Sequence, residues 1–407
     1  MYNANSLKIM SIVGARPNFM KIAPIARAVE QHNACPGSLP IDHVVVHTGQ
    51  HYDDKMSDLF FKELEIPRPD YNLHVGSASH AVQTAQIMER FEPVLLREHP
   101  DVLLVVGDVN STVACALVAT KINYNGSSSQ RRPLIAHIEA GLRSRDRDMP
   151  EEINRILTDA LSDLLFVTEE DALESLEREG IPRARVHFVG NVMIDTLMQH
   201  REKAHMRNTL GRIVKDHELA VGVRTGLGPE TVPGNGRYGV VTLHRPSNVD
   251  TPAALNPLIN NLARISTQLP LIFPVHPRTR ANMEKFGMVG VLDPARVIMT
   301  EPLGYLDFLS LVLGASLVLT DSGGIQEETT FLDVPCITLR NNTERHITVT
   351  RGTNYLVGTN PEQMRKTALD IIAGRRKKGT VPMLWDGMAS NRIIEVVSHR
   401  MADLCAA

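Results

Sequence analysis

The feature that most constrains this chain is a rhythm of short, unbroken apolar runs. In the first half they are LKIMSIV (7–13), HVVVH (43–47), DVLLVVG (101–107), PLIAHI (133–138) and DLLFVT (163–168). They are rich in β-branched residues and hardly interrupted by polar ones, which is how strands read when helices cover both faces of a parallel sheet. Between them lie stretches of helical periodicity, among them FMKIAPIARAVEQ and AVQTAQIMERFEPVLLREH. The second half repeats the scheme with RYGVVTL (237–243), PLIFPV (270–275), RVIM (296–299), SLVLT (316–320) and PCITL (335–339). Strand and helix alternating in this way predict doubly wound α/β sheets, and 407 residues exceed what one core normally organises. The expectation is two Rossmann-like domains with parallel sheets facing a cleft. One spans residues 1–195, with a C-terminal helix over about 385–407 packing back on it; the other spans 196–384. A charged, then Gly- and Pro-rich excursion at about 203–236 joins them.

The formal net charge of -3 gives no bulk attraction to nucleic acid or acidic membranes. No apolar run approaches the roughly 20 residues of a membrane span, and no charged-then-apolar signal precedes LKIMSIVG. The expectation is a soluble cytoplasmic protein without nucleic-acid or membrane partners. Cys35, Cys115, Cys336 and Cys405 form no CxxC pair, and Cys115 and Cys336 read as buried thiols. Without a GxGxxG followed by an acid, a P-loop, an HExxH or a cysteine cluster, neither a metal nor a redox cofactor is expected.

Ligands of open α/β sheets bind beyond the carboxyl ends of the strands, so chemistry is sought there. SLVLT runs into DSGGIQEET. Gly323 and Gly324 let backbone approach a ligand, and the helix that follows offers free amides to a phosphate, with Ser322 as an ordinary cap in the plainer reading. Glu328, a turn further on, can accept both hydroxyls of a ribose. LKIMSIV runs into GARPNFMK, where Arg16 and Lys21 stand near a helix start that disfavours cations unless an anion is present. DVLLVVG ends in Asp108, PLIAHI in Glu139, VVTL in His244 of HRPSN, and PLIFPV in His276 of HPRTR. In PEEINR, Pro150 suits a first helical turn, and Arg155 falls on about the same face as Glu151 and Glu152. A carboxylate at a strand end and another at a helix start can approach opposite sides of a substrate, although Glu151 and Glu152 also suit simple dipole stabilisation. Arg145, Asp146, Arg147 and Asp148 read as a solvated loop.

GARPNFMKIAP, TGQH, GDVNST, HIEAGLRS, PEEINR, GNVMID, LHRPSN, PVHPRT and TDSGGIQEE, followed by NTER, occur in this order from about residue 7 to 375. Together they resemble the non-hydrolysing UDP-N-acetylglucosamine 2-epimerases. The resemblance implies a GT-B-like fold and a homodimer. It implies reversible conversion of UDP-N-acetylglucosamine (UDP-GlcNAc) to UDP-N-acetylmannosamine (UDP-ManNAc) through a 2-acetamidoglucal, with no cofactor. It implies Arg16, Lys21, His244, Ser322, Gly323, Gly324, Glu328 and Arg345 as nucleotide-sugar contacts, with His276 on the same rim and Phe308 on the uracil side. Asp108, Glu139 and Glu151 are implied as catalytic acids, with His244 beside them and Arg155 in support. This chain reads Thr343-Glu344-Arg345-His346 where many members read TERP. Tyr52-Asp53-Asp54 and Pro246-Ser247-Asn248 stand where well-known bacterial members bind a second, activating UDP-GlcNAc. The alternatives are an epimerase of a related UDP-2-acetamido sugar, a hydrolysing epimerase and a GT-B glycosyltransferase.

Overall fold

The computed structural model describes residues 6–49, 63–66, 68–124, 131–222, 225, 227 and 238–406. The chain divides into two compact units: Met1–Thr196 with Met383–Ala407, and Leu197–Pro382. The first holds a seven-stranded sheet of β1 (Leu7–Val13), β2 (Ile41–His47), β3 (Tyr71–Asn72), β4 (Val102–Val106), β5 (Leu134–Ala140), β6 (Leu164–Val167) and β7 (Val186–Phe188). The second holds six strands: β8 (Gly239–Thr242), β9 (Leu271–Pro274), β10 (Val297–Thr300), β11 (Leu317–Thr320), β12 (Cys336–Thr338) and β13 (Asn354–Leu356). The orders are β3-β2-β1-β4-β5-β6-β7 and β10-β9-β8-β11-β12-β13, and the recorded pairings are all parallel. Each sheet is therefore Rossmann-like, with the order reversing between β1 and β4 and between β8 and β11.

Alternation along each strand explains why the apolar runs are unbroken. Val240, Ile272 and Val318 join a core with Ile213 and Leu311, whereas Val241, Leu271 and Leu319 join another with Leu258 and Leu262. Successive side chains point to opposite faces, and each face of the second sheet has its own helical cover. In the first sheet Met10, Ile12, Leu103 and Val105 pack with Ile87, Phe91 and Ala116, while Ile9, Ser11 and Val13, which alternate with Met10 and Ile12 along β1, are just as buried.

GNVMID serves the fold. Asp195 accepts the N–H groups of Ala389 and Ser390 at 3.2 and 2.7 Å and also the Ser390 hydroxyl, so it caps the terminal helix Ala389–Ala406. Trp385 Nε1 donates to the Thr168 carbonyl at 2.9 Å. Gly190 has a φ of 91°, and a Cβ there would be driven into the Leu384 carbonyl. Only glycine suits both demands. The terminal segment is thus tied to the first unit. Of the excursion near 203–236, the described part includes the end of helix Val192–His205 and all of helix Thr209–Val221; most of the rest lies outside the described residues.

Candidate active site

In the first unit the charged groups gather where the strand order reverses. Lys21, on the helix Arg16–Ala34 after β1, makes a very short ion pair with Glu139 Oε2 at the end of β5; both side chains are buried. Glu139 sits at a register shift between β5 and β6 with a φ of 71°, so a bulge aims its carboxylate. Asn18 joins them: its Oδ1 accepts from Ala15 N at 2.8 Å and its Nδ2 donates to Val106 O at 2.9 Å. The anion that meets the cation near the first helix start is therefore Glu139. The side chain of Arg16 lies outside the described residues, as do Gln50 and His51 of TGQH and Tyr52, Asp53 and Asp54.

Asp108 follows β4 and the Gly107 turn. Its Oδ2 is 2.6 Å from Arg155 Nη1, on the helix Pro150–Leu161. PEEINR now divides by task. Arg155 holds the Asp108 carboxylate, and Asn154 Nδ2 donates to the Asp108 carbonyl at 2.9 Å. Glu152, buried, accepts from Ser144 N (2.9 Å), Arg145 N (2.8 Å) and Arg155 Nε (3.1 Å), which braces the loop before the helix. Glu151 is half-exposed and its carboxylate meets no partner among the described residues. Two acids are thus locked against cations and a third is open.

Behind them lies Asp159, fully buried. It meets His137 Nδ1 at 2.7 Å, Arg143 Nη2 at 2.7 Å and the Gly141 N–H at 3.0 Å. Burial works to raise its pKa, but His137 and Arg143 outweigh burial and hold the carboxyl below its usual range.

In the second unit the helix Gly323–Phe331 starts directly after β11. Ser322 is its N-cap residue but makes no side-chain cap hydrogen bond, so the plainer capping reading does not hold. The first turn is left to offer its amides to an anion. Glu328 is buried, and burial pushes its pKa up to about 7, aided by the neighbouring Glu327 and opposed by the Tyr305 hydroxyl. Phe308, one turn beyond Tyr305, packs partly buried on the core. Arg345 is buried behind Gly323, paired with Glu327 at 3.0 Å and closely with Glu344. A Cβ on Gly323 would lie 2.7 Å from Arg345 Nη1, so this glycine admits the guanidinium.

His244 follows β8. Its Nδ1 is 2.8 Å from Oδ1 of Asp321, which is fully buried after β11. Asp321 also accepts the His244 and Arg245 N–H groups and Asn248 Nδ2. Burial raises its pKa, but the hydrogen bond from His244 and these donors win and keep it a carboxylate. The histidine is thereby oriented with Nε2 outward. His276 lies beside it, ring centroids 5.8 Å apart. Asn248 is buried between Asp321 and the Leu339 carbonyl, a structural post. The structure therefore adds Asn154, Asp159, His137 and Asp321 to the residues singled out from the sequence. His137 is in HIEAGLRS and Asp321 in TDSGG, so their positions were on view, but their partners come from other strands and helices.

The model of the family described as UDP-N-acetylglucosamine 2-epimerase matches residues 33–398. A UDP-N-acetylglucosamine 2-epimerase of Methanocaldococcus jannaschii is 40% identical over 400 residues, covering 97% of this chain and 99% of that protein. A UDP-2,3-diacetamido-2,3-dideoxy-D-glucuronate 2-epimerase of Pseudomonas aeruginosa is 36% identical over 395 residues, covering 96% and 99%. The crystal structure of the Methanocaldococcus jannaschii UDP-GlcNAc 2-epimerase in complex with UDP-GlcNAc and UDP is similar with a TM-score of 0.81 at 39% identity, covering 97% of this chain and 100% of that one.

Proposed function

This chain belongs to the UDP-N-acetylglucosamine 2-epimerase family, and from that premise we propose that it interconverts UDP-GlcNAc and UDP-ManNAc without net hydrolysis. The hydrogen on the second carbon of the sugar is not acidic, because no carbonyl adjoins it. Breaking the bond from the first carbon to UDP makes that carbon electron-poor; the proton then leaves the second carbon and a 2-acetamidoglucal remains. A proton added to the opposite face, with UDP returned to the first carbon, completes the epimer. The reaction needs carboxylates to move the proton and a hold on the diphosphate while it is detached.

The observation that carries this reading is the pairing at the ends of neighbouring strands: Asp108 with Arg155 after β4, Glu139 with Lys21 at the end of β5. Asp108 and Glu139 serve the second carbon and Glu151 is the third acid. The second unit holds UDP: the uncapped helix start at Ser322, Gly323 and Gly324 takes the diphosphate, Glu328 the ribose, and Phe308 the uracil side. Arg16 and the outward Nε2 of His244 assist the leaving group, with His276 beside it. Lys21, Arg155 and Arg345 act through the carboxylates they hold. The same reading carries the GT-B-like fold, a homodimer as the resemblance implies, and a cytoplasmic site of action, where UDP-sugars are made.

A second reading, an epimerase of a diacetamido uronate, is supported by the 36% identity to the Pseudomonas aeruginosa relative. Incubation of each UDP-sugar in heavy water, followed by NMR, separates them. The expected result is UDP-ManNAc with deuterium at the second carbon. Free sugar would mean hydrolysis; exchange only with the uronate would move the substrate; no exchange with either would point to a transferase.

A further inference from the structure

His137 lies on β5 two residues before Glu139 and is fully buried. Its ring nitrogens face two oxygens: Nδ1 is 2.7 Å from Asp159 Oδ1, and Nε2 is 2.9 Å from the Gly107 carbonyl. A carbonyl oxygen only accepts, so Nε2 carries a hydrogen. The Asp159 carboxylate also receives Arg143 and the Gly141 N–H and likewise only accepts, so Nδ1 carries a hydrogen too. His137 therefore donates through both nitrogens and stands as a buried cation.

What it grips matters. Gly107 precedes Asp108 and has a φ of 70°. Its N–H donates to the Ile138 carbonyl at 3.1 Å, its carbonyl is taken by His137, and the Asp108 carbonyl by Asn154. The turn that presents Asp108 is clamped at successive backbone groups. Asp108, Glu139, Glu152, Asp159 and the more exposed Glu179 supply five carboxylates, against the cations Lys21, Arg143 and Arg155. Doubly protonated, His137 makes the fourth cation.

We propose that His137, held between Asp159 and the Gly107 carbonyl, is a doubly protonated positioning residue that fixes the turn carrying Asp108. The inference rests on Asp108 moving the proton. In protein labelled with 15N-histidine, through-bond spectra at neutral pH should show His137 with both nitrogens protonated; one unprotonated nitrogen overturns the proposal. In His137→Gln, kcat should fall about 10- to 100-fold, as expected for a displaced catalytic group. UDP affinity by calorimetry should stay unchanged. A folded variant with wild-type kcat overturns it as well. If His137→Gln does not fold, the spectrum of the unmodified protein decides. That spectrum needs no substrate, so an absence of deuterium exchange in the unmodified enzyme would sink the epimerase reading while His137 is still judged by its own measurement.

Discussion

Where the strand order reverses in the first unit, named cations already have their anions: Lys21 holds Glu139, Arg155 holds Asp108, and His137 and Arg143 hold Asp159. At the corresponding place in the second unit the groups are receptive. The helix start at Gly323 has no side-chain cap, Glu328 is pushed up to about 7, and the His244 side chain is held at Nδ1 while remaining 40% exposed. The two sheets share one winding rule, yet the first rim is dominated by paired charges, while the second adds to its paired Asp321 and Arg345 an uncapped helix start and a carboxyl raised by burial. Preorganised charge suits proton transfer, because acids fixed in place need no reorganisation when the reaction occurs. An open helix start and an unsettled carboxyl suit a ligand that brings its own charge and hydroxyls.

This contrast is open to breakage, and the hardest blow comes from Asp108→Asn. Epimerisation and deuterium incorporation should fall about 1000-fold, within the usual span for a general acid or base, while UDP still binds. Loss of UDP binding with normal exchange would reverse the assignment of the two rims. Next comes Arg155→Met, which strands Glu152 in a buried setting. Removing one partner of a buried pair costs about 3 kcal/mol at the low end, and the low end applies because the Asp108 side chain is 31% exposed and screened by solvent. Urea denaturation measures it; a loss near zero would show that these charges are not settled.

Glu328→Gln sharpens the other side. Its pKa is raised from 4.5 to about 7 in the folded chain. A raised carboxyl costs nothing below its unfolded value and weakens the fold progressively as pH climbs to the folded value. The ligand-free variant should therefore be more stable than the parent at pH 8, by roughly 3 kcal/mol, and equal to it near pH 4. UDP should bind less tightly. A variant less stable at pH 8 would mean that Glu328 is already satisfied. The smallest effect is expected at Arg278→Ala. Arg278 meets Asp250 at 2.6 Å on an exposed part of the second unit. The cost should be far smaller than that of Arg155→Met and shrink further in high salt. A cost equal to that of Arg155→Met would show that burial is not what separates locked charges from open ones.

Ten of the strands were legible because each is an apolar run covered on both faces. β3, β7 and β13 were not. They are two or three residues long, lie at sheet edges, and include half-exposed or polar positions such as Tyr71, His187 and Asn354. Only a neighbouring strand makes them strands. The site divides in a similar way. Asp108, Glu139 and His244 announced themselves by standing at or just beyond a strand's carboxyl end, and Glu328 by its place in the helix after DSGG. Helix position alone does not separate Glu151 from Glu152, since both suit a first helical turn, and only the resemblance singles out Glu151; the fold buries Glu152 as a brace and leaves Glu151 half-exposed.

By itself the sequence determined the winding of both sheets, the strand ends at which the candidate residues stand and the family, since periodicity, glycine turns and ordered motifs are local properties. The tertiary structure decided who holds whom. Lys21 meets Glu139 across 118 positions of chain, and His244 meets Asp321 across 77. No local pattern encodes such pairings, because they arise only when parallel strands bring their ends together and burial makes each charge seek its opposite.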